Sequence, residues 1–190
     1  MADLTAVSWD KFPLRADPGD QVSGNFKFYE LTASETAERL AIDNRFSRVA
    51  EVRAAVHLCR NVLQPIRDKF GRFSPNSVFR GQDLERALKK KRSDWMSTSQ
   101  HTLGQACDIE IPGMPTLELA DWVASNLEFD QIICECYDPR KGPNSGWVHV
   151  SLVPPGMGEN RRKLTSYVLD PRSGKYVYVA GLQTSSSASA

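Results

Sequence analysis

Apolar residues between positions 47 and 70 recur at steps of three and four, the spacing of one face of an α-helix. They predict one long amphipathic helix that ends at Gly71, a residue suited to a C-terminal cap. Pro65 is expected to kink the last turns because it cannot donate a backbone hydrogen bond. Ser34, followed by Glu35, predicts the start of a shorter helix upstream.

The second half of the chain changes to shorter apolar runs, many of them β-branched and bounded by turn-forming residues, which are typical of strands. Helices come first and antiparallel strands later, which predicts an α+β fold. We expect N-terminal helices packed on a small antiparallel sheet, with a C-terminal β-hairpin. Further helices are predicted for DLERALKKKR (83–92) and PTLELADWVASNL (115–127), and strands for NSVFR (76–80), QACDIEI (105–111), FDQIICECY (129–137), GWVHVSLV (146–153), RKLTSYVLD (162–170) and KYVYVAGL (175–182).

Composition is that of a globular domain: the 190 residues are 41% hydrophobic and 25% charged, with a formal net charge of +1. This balance predicts no nucleic-acid partner, and the basic run at 89–93 is expected to be a solvated helix end. No apolar run is long enough to span a bilayer, and no signal pattern precedes the domain, so we expect synthesis in a cytosol and no membrane partner. The four cysteines are expected to be reduced and mostly buried.

Along the chain we predict four regions. Residues 1–25 mix Pro, Gly, Asp and Ser and are expected to form an extended arm, and residues 26–155 form the main domain. Residues 156–182 are expected to be a hairpin extension, and the Ser-rich residues 183–190 a disordered tail.

The candidate chemistry begins in the stretch SQHTLGQACDIEI (99–111), where Gly104 would allow a bend between His101 and Asp108. The same residues are also compatible with an ordinary turn that leads into a buried strand. A third candidate, His149, lies in an apolar strand, where a satisfied core histidine is the alternative. Two histidines and one aspartate would leave a fourth position open on zinc, as in a catalytic site.

Glu135 is the one charged residue in the apolar segment 132–136. A connection centred near residues 141 and 142 would place it opposite Val148 or His149 on the next strand. A carboxylate that does not bind the metal is what metal-assisted hydrolysis needs as a general base.

Ser99, His101, Gly104, Ala106 and Asp108 form the pattern S-x-H-x-x-G-x-A-x-D, and a W-x-H follows at 147–149. This combination resembles the zinc D-alanyl-D-alanine carboxypeptidase family, whose relatives include vancomycin-resistance D,D-dipeptidases, phage L-alanyl-D-glutamate endolysins and, by fold, hedgehog signalling domains. Segments in matching order over about residues 26–153 resemble a phage and prophage branch of that family: FYELTASETAERLAIDN, NVLQPIRDKFG, SQHTLGQACDIEI, FDQIICE and GWVHVS.

The resemblance implies that Zn²⁺ is held by His101, Asp108 and His149. It also implies that Arg80 holds the substrate carbonyl or the tetrahedral oxyanion, the alternative being a surface salt bridge. Ser99 would either bind substrate or cap its turn.

One position departs from the family pattern, in which most relatives have Glu or Asp three residues before the last histidine ligand. That position is Gly146 here. The general base therefore cannot be transferred from the family; we predict Glu135, with Asp138 as the reserve.

The implied function is hydrolysis of peptide bonds in bacterial peptidoglycan, in stem or cross-link peptides that contain D-amino acids. A phage or prophage enzyme of this kind would be made in the host cytoplasm and act at the cell wall or within a virion. The alternative is a catalytically silent virion or tail-associated module that keeps the fold and binds phage structural proteins. A metal-binding interaction domain of the hedgehog type is a third interpretation.

Overall fold

The computed structural model of the protein describes residues 1–170 and 172–182. It confirms the α+β class, with most of the helices before a five-stranded sheet and one helix between its first two strands. The chain divides into two compact units, Met1–Cys107 and Asp108–Ala190. The predicted tail at 183–190 lies outside the described residues.

The first unit is organised around the long helical segment that the apolar spacing predicts. It consists of α2 (Val49–Leu58), a π-helical turn (Cys59–Leu63) and α3 (Gln64–Phe70). The widened turn comes just before Pro65, where a missing N–H forces the hydrogen-bond ladder to change register. The helix ends at Gly71, whose φ is 84°, as predicted. The apolar residues that recur at steps of three and four form the buried face of this segment, and five of them are fully buried: Val52, Val56, Cys59, Leu63 and Ile66.

The shorter helices of this unit are α1 (Glu35–Arg39) and α4 (Gln82–Leu88). Ser34 caps α1 as predicted, since its hydroxyl oxygen accepts a hydrogen bond from Ala37 N at 3.2 Å. The helix α4 ends at Leu88, where Lys90 has a positive φ of 50°. The basic run at 89–93 therefore follows the helix, and the predicted extension of the helix to residue 92 is wrong.

Residues 76–80 and 1–25 of the first unit form no long helix or strand. The predicted strand at 76–80 is not one of the strands of the fold, so that prediction is wrong. Residues 1–25 bury Phe12 and Val22 completely. The Arg60 guanidinium donates to the carbonyls of Val22 and Leu4, each at 2.8 Å, which ties this segment to the long helix.

The sheet contains β1 (Ala106–Ile109), β2 (Gln131–Glu135), β3 (Trp147–Ser151), β4 (Lys163–Leu169) and β5 (Tyr176–Ala180), in the order β1-β3-β2-β4-β5. β2 pairs antiparallel with β3, and β4 pairs antiparallel with β5, but β2 and β4 are parallel. The sheet is therefore mixed, and the prediction of an antiparallel sheet is wrong. After β3 the chain crosses to the far side of β2, where β4 pairs parallel with β2. The sequence could not predict this direction, because side chains alternate in the same way on parallel and antiparallel strands.

The two faces of the sheet differ. Helix α5 (Thr116–Asn126) packs on β2 and β3. Burial, followed by the negative charge of Asp121 on α5, raises the pKa of Cys134 to about 12, which places Cys134 on the face toward α5. The opposite face carries Ile133, Glu135 and His149, because successive side chains of a strand alternate.

Within the described part of the chain, no helix is long and apolar enough to cross a bilayer. All four cysteines are free, and all except Cys136 are buried, which confirms the prediction that they are mostly buried.

Candidate metal centre

His101 lies in a short 3-10 turn (Gln100–Leu103) that Gly104 ends in the left-handed conformation, with φ 70° and ψ 16°. A Cβ atom on Gly104 would lie 2.2 Å from the carbonyl oxygen of Glu51 in α2. Only glycine fits this position, both for its backbone conformation and for its approach to the helix. The predicted bend at Gly104 is confirmed. Ser99 caps the turn, with its hydroxyl oxygen 3.4 Å from His101 N.

The ring of His101 is fully buried and held in one orientation. Its Nδ1 donates to the carbonyl of Val78 at 2.6 Å, and its own carbonyl accepts from Arg80 N at 3.2 Å. Because a carbonyl can only accept, Nδ1 carries a proton, and Nε2 is the ring nitrogen left to bind a metal. A metal-binding histidine is usually oriented in this way, by a hydrogen bond from the ring nitrogen that does not bind the metal.

Asp108 and His149 lie on neighbouring strands of the sheet, β1 and β3. Their side chains meet, with His149 Nδ1 at 3.0 Å from Asp108 Oδ1. Each residue is only 7% exposed. A carboxylate and an imidazole so far from water need each other, or a shared cation, to offset the cost of burial.

The structure brings together the three residues that the sequence pattern singles out. Ligand atoms of His101, Asp108 and His149 all lie within 4.8 Å of one another, and all three side chains are buried. This group could bind a metal ion. Two imidazole nitrogens and one carboxylate oxygen suit a borderline ion such as zinc better than Ca²⁺ or Mg²⁺, which prefer oxygen ligands.

Glu135 is paired differently from the prediction. It lies opposite Trp147, and the residue opposite His149 is Ile133, so the predicted pairing with Val148 or His149 is wrong. The register differs because the connection between β2 and β3 is irregular: it contains a 3-10 turn (Pro139–Lys141) and a left-handed residue at Cys136. The alternation of apolar and polar residues in the sequence does not reveal such a connection. Glu135 nevertheless shares a face with His149, one diagonal step away, and is half-buried.

Arg80 belongs to a buried ionic network that the sequence did not reveal. Its Nε lies 2.7 Å from Oε1 of Glu85, which is fully buried. Lys89 Nζ and the Ser97 hydroxyl contact Glu85 Oε2, each at 2.7 Å. Burial tends to raise the pKa of Glu85, but these hydrogen bonds and the charges of Arg80 and Lys89 lower it overall. The sequence signal was misleading, because Glu and Lys four residues apart on a helix usually form a surface pair.

Gly146 lies where the backbone of the adjacent strand leaves no room for a side chain. Gly146 has φ 72°, and a Cβ atom would lie 2.1 Å from the carbonyl oxygen of Glu135. No side chain can occupy this position without moving the backbone of the adjacent strand.

Asp138, the reserve candidate for the base, is committed to the loop between β2 and β3. It caps the turn at Pro139–Lys141, and both of its carboxylate oxygens accept from the Arg140 guanidinium at 2.9 Å. These hydrogen bonds lower the pKa of Asp138, which makes it a poor proton acceptor near neutrality.

Comparison of the chain with protein-family models, curated proteins and solved structures finds no match. The relation to zinc carboxypeptidases therefore remains a prediction from the sequence motifs. What the structure adds is the spatial grouping of His101, Asp108 and His149.

Proposed function

We propose that this protein is a zinc-dependent peptidase that hydrolyses peptide bonds of bacterial peptidoglycan. The observation that carries the proposal is the buried grouping of His101, Asp108 and His149, with ligand atoms within 4.8 Å of one another. The motif that contains these residues resembles zinc D-alanyl-D-alanine carboxypeptidases, and this resemblance supplies the substrate class.

In the proposed site, His101 Nε2, an Asp108 oxygen and a His149 ring nitrogen hold Zn²⁺. Three protein ligands are typical of a catalytic zinc, since structural sites are usually closed by four. Bound zinc supplies Lewis acidity toward water and toward a peptide carbonyl. The Val78 carbonyl fixes the His101 tautomer through Nδ1, so this residue needs no rearrangement to act as a ligand.

Glu135 is the proposed general base. It lies on the face of the sheet that carries His149, two residues along β2 from Ile133, which is opposite His149. Diagonal neighbours across strands are about 7–8 Å apart, a gap that a glutamate side chain and one water molecule can bridge. Its carboxylate takes a proton from the attacking water and passes it to the amine that leaves.

Arg80 is the proposed partner of the developing oxyanion. A guanidinium has five N–H donors in a fixed plane, so the ion pair between Nε and Glu85 is compatible with a second acceptor. The salt bridge that was the alternative role for Arg80 then becomes the means of orienting it. A cation held in advance stabilises charge in the transition state without reorganisation.

The test begins with elemental analysis of the purified protein, followed by incubation with peptidoglycan and measurement of new amino groups. We expect about one zinc per chain and cleavage that a chelator abolishes. Glu135→Gln should lower the rate by about 10²–10⁴-fold with zinc content unchanged, whereas His149→Ala should lose zinc. Glu159→Gln is the matched control, because Glu159 is an exposed loop residue.

The outcomes separate the alternatives. A protein that holds zinc but releases no amino groups would be the catalytically silent virion module, and the peptidase proposal would fail. A protein that holds no zinc, and whose metal content does not respond to His149→Ala, would contradict the metal site itself.

A further inference from the structure

The face of the sheet that carries His149 also carries a line of large side chains across four strands. Tyr167 on β4 pairs with Glu135 on one side and with Tyr178 on the other. Glu135 in turn pairs with Trp147. Directly paired residues of neighbouring strands project to the same face, so the line runs from Trp147 through Glu135 and Tyr167 to Tyr178.

Three tyrosines at the end of this line are packed ring against ring; we call Tyr167, Tyr176 and Tyr178 the tyrosine row. The ring centroids of Tyr167 and Tyr178 are 4.5 Å apart with an interplanar angle of 32°. Those of Tyr167 and Tyr176 are 5.2 Å apart at 30°. Tyr178, on the last strand of the sheet order, is 62% exposed. Aromatic rings mutually supported in this way present a preorganised surface.

The tyrosine row is continuous with the proposed catalytic residues. Tyr167 pairs with Glu135 on one side and with Tyr178 on the other. Burial, and after it the negative charge of Glu135, raises the pKa of Tyr178. A ligand on the row would therefore lie beside the general base of the proposed reaction.

We propose that the tyrosine row binds a sugar ring of the peptidoglycan glycan strand while the attached peptide occupies the metal site. This inference rests on the proposed function. Sugar rings match the row chemically, because the electron-rich faces of aromatic rings attract the C–H edges of a pyranose, and tyrosine hydroxyls can bond to sugar hydroxyls. Glu135 provides an additional acceptor at the near end of the row.

Charge argues against a nucleic-acid ligand. Bases stack on aromatic side chains, but their phosphates require cations close by. The charged residue within this line is an anion, Glu135. Of the cations around it, Arg140 is held by both carboxylate oxygens of Asp138. Lys141 and Lys163 lie outside the line, in the loop after β2 and at the start of β4. A neutral, hydroxylated ligand fits the surface better.

The experiment measures binding of a soluble tetramer of N-acetylglucosamine by isothermal titration calorimetry, with metal-free protein in chelator. We expect saturable binding to the wild type. Tyr178→Ala should weaken it roughly tenfold, equivalent to about 1.4 kcal/mol, without loss of folding because the side chain is largely exposed. Tyr29→Ala, at an unrelated tyrosine that is 50% exposed, is the matched control and should bind as the wild type does.

Three results would overturn the proposal: no saturable binding to the wild type, equal binding by Tyr178→Ala, or loss of self-association instead of sugar binding in that variant. The last result, seen by sedimentation, would identify the row as a contact between two copies of the chain. Since the titration needs neither metal nor catalysis, sugar binding can survive failure of the peptidase proposal. A cleaving enzyme whose Tyr178→Ala variant binds the tetramer unchanged would refute the sugar site alone.

Discussion

Replacing Gly146 by alanine should destabilise the protein far more than the same change at an open glycine. The Cβ of alanine would lie 2.1 Å from the Glu135 carbonyl oxygen and 2.8 Å from Tyr137 N, whereas ordinary van der Waals contact begins at 3.4 Å. These are backbone atoms of the neighbouring chain segment, so the overlap cannot be relieved by rotating a side chain. β2 and β3 would have to separate at their ends, beside Glu135.

The magnitude follows from two contributions. A β-carbon at positive φ costs about 1–2 kcal/mol, and forced repacking costs typically about 1–3 kcal/mol more. The expected total of about 2–5 kcal/mol is a large fraction of the roughly 5–15 kcal/mol that stabilises an ordinary domain. For a chain of this size it corresponds to a fall in Tm of roughly 5–15 °C.

The assay is urea unfolding followed by circular dichroism, with Gly113→Ala as control. Gly113 has a similar φ of 81° but nothing within 4 Å of its would-be Cβ, so this variant should show only the backbone contribution of about 1–2 kcal/mol. Equal losses in the two variants, within about 0.5 kcal/mol, would refute the argument that the neighbouring strand excludes a side chain at position 146. The same reasoning predicts that Gly146→Glu also destabilises the protein and does not supply a general base from position 146.

Two further predictions concern stability and reactivity. Glu85 has a pKa below its ordinary value of 4.5 in the folded protein, so its contribution to stability is present above pH 4.5 and is lost as the pH falls through the lowered value. Glu85→Gln should therefore cost about 2 kcal/mol at pH 7 and progressively less below pH 4.5, measured by urea unfolding across pH; a pH-independent difference would contradict this. Three of the four cysteines, Cys59, Cys107 and Cys134, are buried, whereas Cys136 is half-buried. Burial raises the pKa of Cys59 and of Cys134 to about 12 and also raises the pKa of Cys136, and thiolates are the reactive form. A thiol reagent should therefore modify the native protein only at Cys136, which it can reach. Cys136→Ser should abolish that reaction, and rapid labelling of the variant would show that the core thiols are accessible.

The glycine at position 146 has a consequence for how the proposed site would work. In the proposed site the base comes from β2 instead of from the residues that precede the last ligand on β3. The close approach of Gly146 to the Glu135 carbonyl fixes the backbone on either side of both residues. Gly146 thus excludes a carboxylate at position 146, and the same contact holds the backbone of Glu135, the proposed base.

The extent of sequence-based prediction can be judged from the helix at 49–70 and the turn at His101. Both depend on local chemistry: apolar spacing, a glycine at the C-terminus, and a glycine where φ must be positive. The sequence did not predict that Gly104 also has to lie against the backbone of α2, because residue 51 is distant in the chain and approaches only on folding.

The sequence by itself determined the class of the fold, its main helix and the identity of the residues that come together at His101, Asp108 and His149. Periodicity and residue type decide these features, and both can be seen in a linear chain. Only the tertiary structure decided the parallel pairing of β2 with β4, the register that places Glu135 opposite Trp147, and the burial of Glu85 beneath Arg80. These depend on how irregular loops and distant segments meet, where a shift of one residue reverses the face that a side chain occupies.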